Sequence, residues 1–232
     1  MKPLKHLFSS LLVLSLAAAL AACSEDEPDY DPYYNWQARN EAWFRSAADS
    51  ARTAIRAAKA QYGEEWEGHC QWRMLKRLDQ AQDYNTGRVD DSICVRIISH
   101  GTGNYTPTWS DSVRINFRGW MMPTTYRLYN DRGQEVDSLR QFVFTQSYFG
   151  PFDAQTAAPQ LGPVSSFVPG FSTALQYMVE GDDWMVYVPA RLAYDATAKD
   201  DVPAYSTLVW RVHMAAVYPC NTGVPTWKAR RR

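Results

Sequence analysis

Apolar and polar side chains alternate most cleanly over residues 112–118. Val113, Ile115 and Phe117 fall on one side there, and Arg114, Asn116 and Arg118 on the other. A period of two predicts a half-buried antiparallel strand, with Gly119 ending it. Residues 92–99 predict a second strand through Ile93, Val95 and Ile97, followed by a turn at His100-Gly101-Thr102-Gly103. Residues 183–188 predict a third, which Pro189 keeps from continuing as the centre of a ladder. Residues 207–217 predict the last, with Leu208, Trp210, Val212 and Met214 facing one way. Tyr126 to Asn130 and Gln134 to Phe144, around Asp131-Arg132-Gly133, have the pattern of a hairpin. Between residues 165 and 181 the period changes. Phe167 and Val168 form a buried apolar pair, and Pro169 suits the first position of a helix, where no amide donor is wasted. Phe171, Ala174, Leu175 and Met178 recur at i, i+3, i+4 and i+7, and Gly181 is the stop. So short a helix needs a sheet to lie on. The chain is therefore α+β, a twisted antiparallel sheet wrapping one short helix.

A second helical pattern fills residues 35–62. It is alanine-rich, with Trp36, Trp43, Phe44, Ala47, Ala51, Ile55 and Ala58 as its apolar stripe and Gly63 closing it. The stripe requires a partner, either the main domain, which is favoured, or a second copy of the chain. Residues 64–84 read equally as a short helix or an extended connector.

The first 22 residues stand apart. Lys2, Lys5 and His6 precede an apolar run from Leu7 to Leu20, and Leu20-Ala21-Ala22-Cys23 follows. This is a secretory leader, too short for a comfortable membrane span. Its end resembles a bacterial lipobox, at which Cys23 is lipidated and becomes the new N-terminus. Ser24 after the cysteine favours the outer membrane, on its periplasmic face or at the cell surface. Residues 24–34, acidic and proline-containing, read as a tether. The formal charge is −1, near −3 without Lys2 and Lys5, so no basic excess argues for nucleic acid. Cys70, Cys94 and Cys220 allow one disulfide at most, and no Cys or His spacing suggests a metal. No cofactor is expected.

Five pieces in order resemble the FKBP-type peptidyl-prolyl cis-trans isomerases. They are GTG at residues 101–103, DSVRINFRG at 111–119, FVPGFSTALQYMVEGDDWMVYVP at 167–189, LAY at 192–194 and VPAYSTLVWRVHM at 202–214. The resemblance covers residues 91–218. It implies a division into a lipoprotein leader (1–22), a tether (23–34), an N-terminal helical extension (35–90), an FKBP-like domain (91–218) and a basic tail (219–232).

The resemblance also implies a substrate pocket. Phe171 takes the place of the tryptophan on its floor, Phe117 of a strand tyrosine, and Trp210 of the last strand's phenylalanine. Phe167 and Val168 are the apolar pair before the helix, and Val202 the loop aliphatic. Tyr194 matches the loop tyrosine whose hydroxyl donates to the substrate carbonyl, and Asp195 stands where glycine usually follows. Three pairs compete for the family's Phe-Asp position. Phe144-Thr145 is favoured by its distance to the helix and would mean that the aspartate is lost. Val136-Asp137 and Phe152-Asp153 are the others.

The implied activity is isomerisation of X-Pro bonds in proline-containing envelope or surface polypeptides, that is, protein folding. The family also binds macrolide immunosuppressants, and the replaced wall residues weigh against carrying that over to this chain. Rotation about a peptide bond meets a barrier of roughly 18–20 kcal/mol from amide resonance. A water-poor apolar pocket favours the less polar twisted amide, so this chemistry calls for no nucleophile, acid or metal. The alternative is a non-catalytic chaperone or peptide-binding module on the same fold, gripping partners through the groove or through the Trp36, Trp43 and Phe44 helix.

Overall fold

A computed structural model describes residues 31–80, 87–129 and 132–220. The leader, Cys23, most of the tether and residues 221–232 lie outside them. The strands predicted at 92–99, 112–118, 183–188 and 207–217 are present and, with three that were not predicted as separate strands, join one antiparallel sheet. In chain order they are β1 (Trp72–Lys76), β2 (Ser92–Ser99), β3 (Ser112–Met121), β6 (Val143–Gln146), β7 (Gln160–Pro163), β8 (Asp183–Val188) and β9 (Leu208–Tyr218). Their order across the sheet is β1-β2-β8-β9-β3-β6, with β7 pairing further along the edge of β3. Two more strands, β4 (Thr124–Tyr129) and β5 (Glu135–Arg140), form a separate hairpin between β3 and β6.

The short helix is α3 (Pro169–Tyr177), with Pro169 in its first turn. It lies on the inner face of the sheet. Phe171, Ala174, Leu175 and Met178 are buried there among Ile93, Val95, Ile115, Val186, Val188, Leu208, Val212 and Met214. Gly170 makes this close approach feasible, since a Cβ there would lie 2.4 Å from Val188 Cγ1.

The outer face carries α1 (Trp36–Tyr62), which Gly63 closes by donating its amide to the Lys59 carbonyl. Phe44 and Ala48 of α1 pack on Cys94, with Trp72, Met74 and Tyr187 around them. Burying Phe44 alone stabilises this docking by about 1.5–3 kcal/mol. The helix thus packs against its own sheet, and Trp43 stands edge-on to Tyr187. After α1 a short α2 (Trp66–His69) leads into β1.

Several sequence expectations need correcting. Gly119 does not end β3, which runs on to Met121 opposite Leu208. Helix α3 ends at Tyr177, before Gly181, whose φ of 94° instead forms the tight turn into β8. Phe144 does not belong to the hairpin: β5 stops at Arg140, and Phe144 lies in β6 on the main sheet. The buried stripe of α1 takes in Asn40 and Ala48, while Ala47 is only partly covered. The segment left open after α1 proves to be both short helix and strand. Because β1 pairs with β2 from Trp72 onward, a boundary at residue 90 would cut the sheet. Phe167 and Val168 are half-buried rather than buried. Cys70, Cys94 and Cys220 are all free thiols, the first two buried.

Candidate functional site

Phe171 projects from α3 into a cluster of rings. Its centroid lies 5.0 Å from Trp210 on β9, 5.2 Å from Phe167 before the helix and 6.5 Å from Phe117 on β3. Trp210 in turn meets Phe144 on β6 edge-on at 5.4 Å. Four stretches distant in sequence therefore supply one aromatic basin. Edge-to-face and tilted contacts of this kind match the positive rim of one ring to the negative face of the next. Phe171 is 2% exposed, whereas Phe144, Phe167 and Val168 are half-buried, so the floor is closed and the rim reaches solvent.

Gly119 provides the room. A Cβ there would lie 2.5 Å from Trp210 Nε1 and 2.9 Å from Phe144 Cζ. In the sequence it looked like a strand terminator; in the fold it is the gap into which two aromatic rings fit.

The loop after β8 carries the sequence-predicted residues Tyr194 and Val202. Tyr194 is half-buried and packs against the core cluster, and its hydroxyl makes no hydrogen bond among the described residues. Burial pushes its pKa above the usual tyrosine value, Lys199 opposes that shift, and Asp200 adds to it. The hydroxyl therefore stays a proton donor through the neutral range. Asp195 has φ of 51°, the left-handed conformation that glycine usually supplies and that aspartate adopts more readily than most residues. Its amide donates to the Ala190 carbonyl at 2.8 Å, and its carbonyl accepts from Tyr205 at 2.7 Å, closing the loop on itself. Val202, 3% exposed, is fixed by a reciprocal pair of backbone bonds with Lys199.

The three Phe-Asp alternatives occupy different places. Phe144 touches Trp210, and Thr145 lies opposite Gly119 in the ladder. Val136 and Asp137 are exposed on β5. Phe152 sits on the outer face, against Tyr148 and His213. Of the three phenylalanine or valine side chains, Phe144 is the one that reaches the aromatic basin.

Sequence reading missed the anchoring of the loop. The Asn40 Oδ1 accepts from the Thr207 amide at 2.8 Å, and the Thr207 hydroxyl donates to the Asn40 carbonyl at 3.2 Å. A polar residue four positions from both Trp36 and Phe44, inside an apolar stripe, was the available signal. Among the described residues, no group of three or more acidic, His or Cys side chains is placed to hold a metal.

Residues 103–215 match the family model described as FKBP-type peptidyl-prolyl cis-trans isomerase. The Outer membrane protein MIP of Legionella longbeachae is 29% identical over 123 residues, 53% of this chain and 42% of that protein. The FKBP-type 22 kDa peptidyl-prolyl cis-trans isomerase of Escherichia coli K12 is 25% identical over 147 residues, 62% of this chain and 59% of that protein. The matched region thus spans about half the length of these curated relatives. A crystal structure of a peptidyl-prolyl cis-trans isomerase from Pseudomonas syringae pv. tomato is 21% identical with a TM-score of 0.41, covering 75% of this chain and 94% of that one.

Proposed function

Residues 103–215 form a domain of the FKBP-type peptidyl-prolyl cis-trans isomerase family, and from that premise we propose that the chain isomerises X-Pro bonds in polypeptide clients. The observation that carries the reading is the aromatic basin centred on Phe171, with the half-buried Tyr194 packed against the same hydrophobic core. A proline ring enters the basin between Phe117, Phe144, Phe167, Val168, Val202 and Trp210. Tyr194 donates a hydrogen bond to a substrate carbonyl and fixes the peptide's orientation. As the C–N bond twists, amide resonance is lost and the group becomes less polar. A site with no charged side chain on its floor then favours the twisted form over the planar one.

The test is a protease-coupled prolyl assay on the full chain. Wild-type turnover is expected above background, with Tyr194→Phe lowering kcat/KM about tenfold, or about 1.4 kcal/mol of transition-state stabilisation. Peptide binding without turnover would instead establish the second reading, a non-catalytic peptide-holding module. Two observations favour that reading: Thr145 follows the basin phenylalanine, and the β4–β5 hairpin exposes Val136 at 41% and Leu139 at 72%. The Trp36 and Phe44 face of α1 is buried against the domain and is not available as a grip.

We further propose that the chain is a lipoprotein of the outer membrane, anchored through Cys23. The Leu20-Ala21-Ala22-Cys23 sequence supports this, as does the name of the Legionella relative. No helix among the described residues is long and apolar enough to cross a membrane. Cys23→Ala should release the chain from the membrane fraction; continued partitioning there would refute lipid anchoring.

A further inference from the structure

We propose that α1, which lies outside the family match, is a working part of the site, with Asn40 as the positioning residue for the loop that carries Tyr194 and Val202. The inference rests on the isomerase reading for its catalytic consequence, though not for the contact itself.

Three residues of the loop between β8 and β9 hold positive φ without being glycine: Asp195 at 51°, Asp200 at 51° and Tyr205 at 61°. Such conformations cost on the order of 1–3 kcal/mol each and persist only where the surroundings over-determine them. Tyr205 is the least suited of the three, being bulky. Its own amide is tied to the Asp195 carbonyl, one residue from Tyr194. The two residues that follow it are held by α1. Trp36 Nε1 donates to Ser206 Oγ at 2.9 Å, and that hydroxyl donates to the Pro203 carbonyl at 2.6 Å. Asn40 takes the Thr207 amide on its Oδ1 and the Thr207 hydroxyl on its backbone carbonyl. Its remaining polar group, Nδ2, donates to the Trp36 carbonyl at 2.9 Å.

Asn40 is 1% exposed, so removing its amide takes the protein acceptor from the Thr207 amide at a buried position. The buried polar junction spans 167 residues of sequence. A continuous chain of bonds therefore runs from the helix through Thr207, Ser206 and Tyr205 to Asp195, and so to Tyr194. An apolar residue at position 40 would fill the same face of α1 but leave the buried Thr207 amide without its acceptor. The amide is needed only to hold the loop's far end, and a misplacement of about 1 Å in a positioning group can cost on the order of a hundredfold in rate.

The experiment uses the full chain in mild detergent and measures two quantities, prolyl turnover and amide hydrogen exchange at Asp195, Tyr205 and Thr207. Asn40→Ala is expected to speed exchange at those amides at least tenfold and to lower kcat/KM on the order of tenfold. In a double-mutant cycle with Tyr194→Phe, the two losses should be clearly less than additive, because Asn40 acts through Tyr194. Phe44→Ala, on the same buried face but packed on Cys94, controls for helix docking; it should lower Tm and leave kcat/KM within about twofold. If Asn40→Ala does not fold, Trp36→Phe, which removes the donor to Ser206 together with part of a buried ring, is judged by the same exchange and kinetic readouts.

Unchanged exchange in the loop overturns the proposal. So does faster exchange with unchanged kcat/KM, or fully additive losses. A wild-type chain without turnover sinks the isomerase reading instead, and exchange at Thr207 and Tyr205 still decides whether α1 holds the loop.

Discussion

The two faces of the central strands make opposite use of the same backbone. On β9 the inner side chains are Leu208, Trp210, Val212 and Met214, all buried and apolar; the outer ones include Arg211 and His213. On β3 the inner Phe117 alternates with outer Asn116 and Arg118. The inner face presents rings and aliphatic groups to α3 and the basin. The outer face holds a polar layer, in which Arg211 pairs with Asp183 in two bonds of 3.1 and 2.7 Å and lies over the Phe152 ring. Asn116 Oδ1 and His213 Nδ1, neighbours across the β3–β9 ladder, are buried there with no hydrogen-bond partner among the described residues. On the proposed isomerase reading the inner face has to favour a twisted, less polar amide and so excludes ions, while the outer face, which carries the cover, tolerates them. The period of two lets one pair of strands do both.

Substitutions on the inner face carry the largest expected effects. Phe171→Ala removes the ring that three others touch. It should cost about 3–5 kcal/mol in denaturant unfolding and abolish turnover. Gly119→Ala forces Trp210 or Phe144 aside and should cost about 1–3 kcal/mol, with peptide affinity falling alongside. On the outer face, Asp183→Asn leaves the one-third-exposed Arg211 without its carboxylate. The cost should be about 1–2 kcal/mol after solvent screening, with kcat/KM unchanged. A loss of turnover in Asp183→Asn would show that the two faces are coupled.

Burial pushes the Cys94 thiol beneath α1 from 9.0 up to about 12. A raised folded pKa means that the associated stability is fully present below pH 9 and is lost as pH rises toward 12. Hydrogen exchange along α1 should therefore accelerate in that range, and Cys94→Ala should remove the dependence. Burial holds His213 below its usual 6.5, with Asp183 opposing the shift and Arg211 adding to it. A lowered folded pKa reverses the direction: stability is present above pH 6.5 and declines as pH falls below it. The smallest expected effect is a loss of this acid limb in His213→Gln, read from Tm against pH.

Much of the fold was legible in the residues, and the exceptions share a cause. The bounds of β2 and β8 agree with the sequence pattern because each combines alternation with a clear stop, such as Pro189. Strand β1 was not legible, since Trp72-Arg73-Met74-Leu75-Lys76 follows no period of two and is defined by its pairing with β2. Phe144 was legible as a basin residue from its distance to α3, but its separation from the hairpin was not. Gly119 and Asn40 were misread or passed over because their roles are set by partners far along the chain, Trp210 and Thr207. Local pattern reports which face a residue takes and is silent about what waits on the other side of the contact.

The placement of α1 also determines where the cooperative unit begins. With 27 residues the helix is about 40 Å long. It starts at the entry to central strand β9 and runs on, through α2, to edge strand β1. A chain cut at residue 91 would strip the outer partner from β2 and uncover Tyr187 together with Cys94. It would also free the loop from Asn40. The unit that unfolds together therefore reaches back at least to Trp36, some 67 residues before the family match begins.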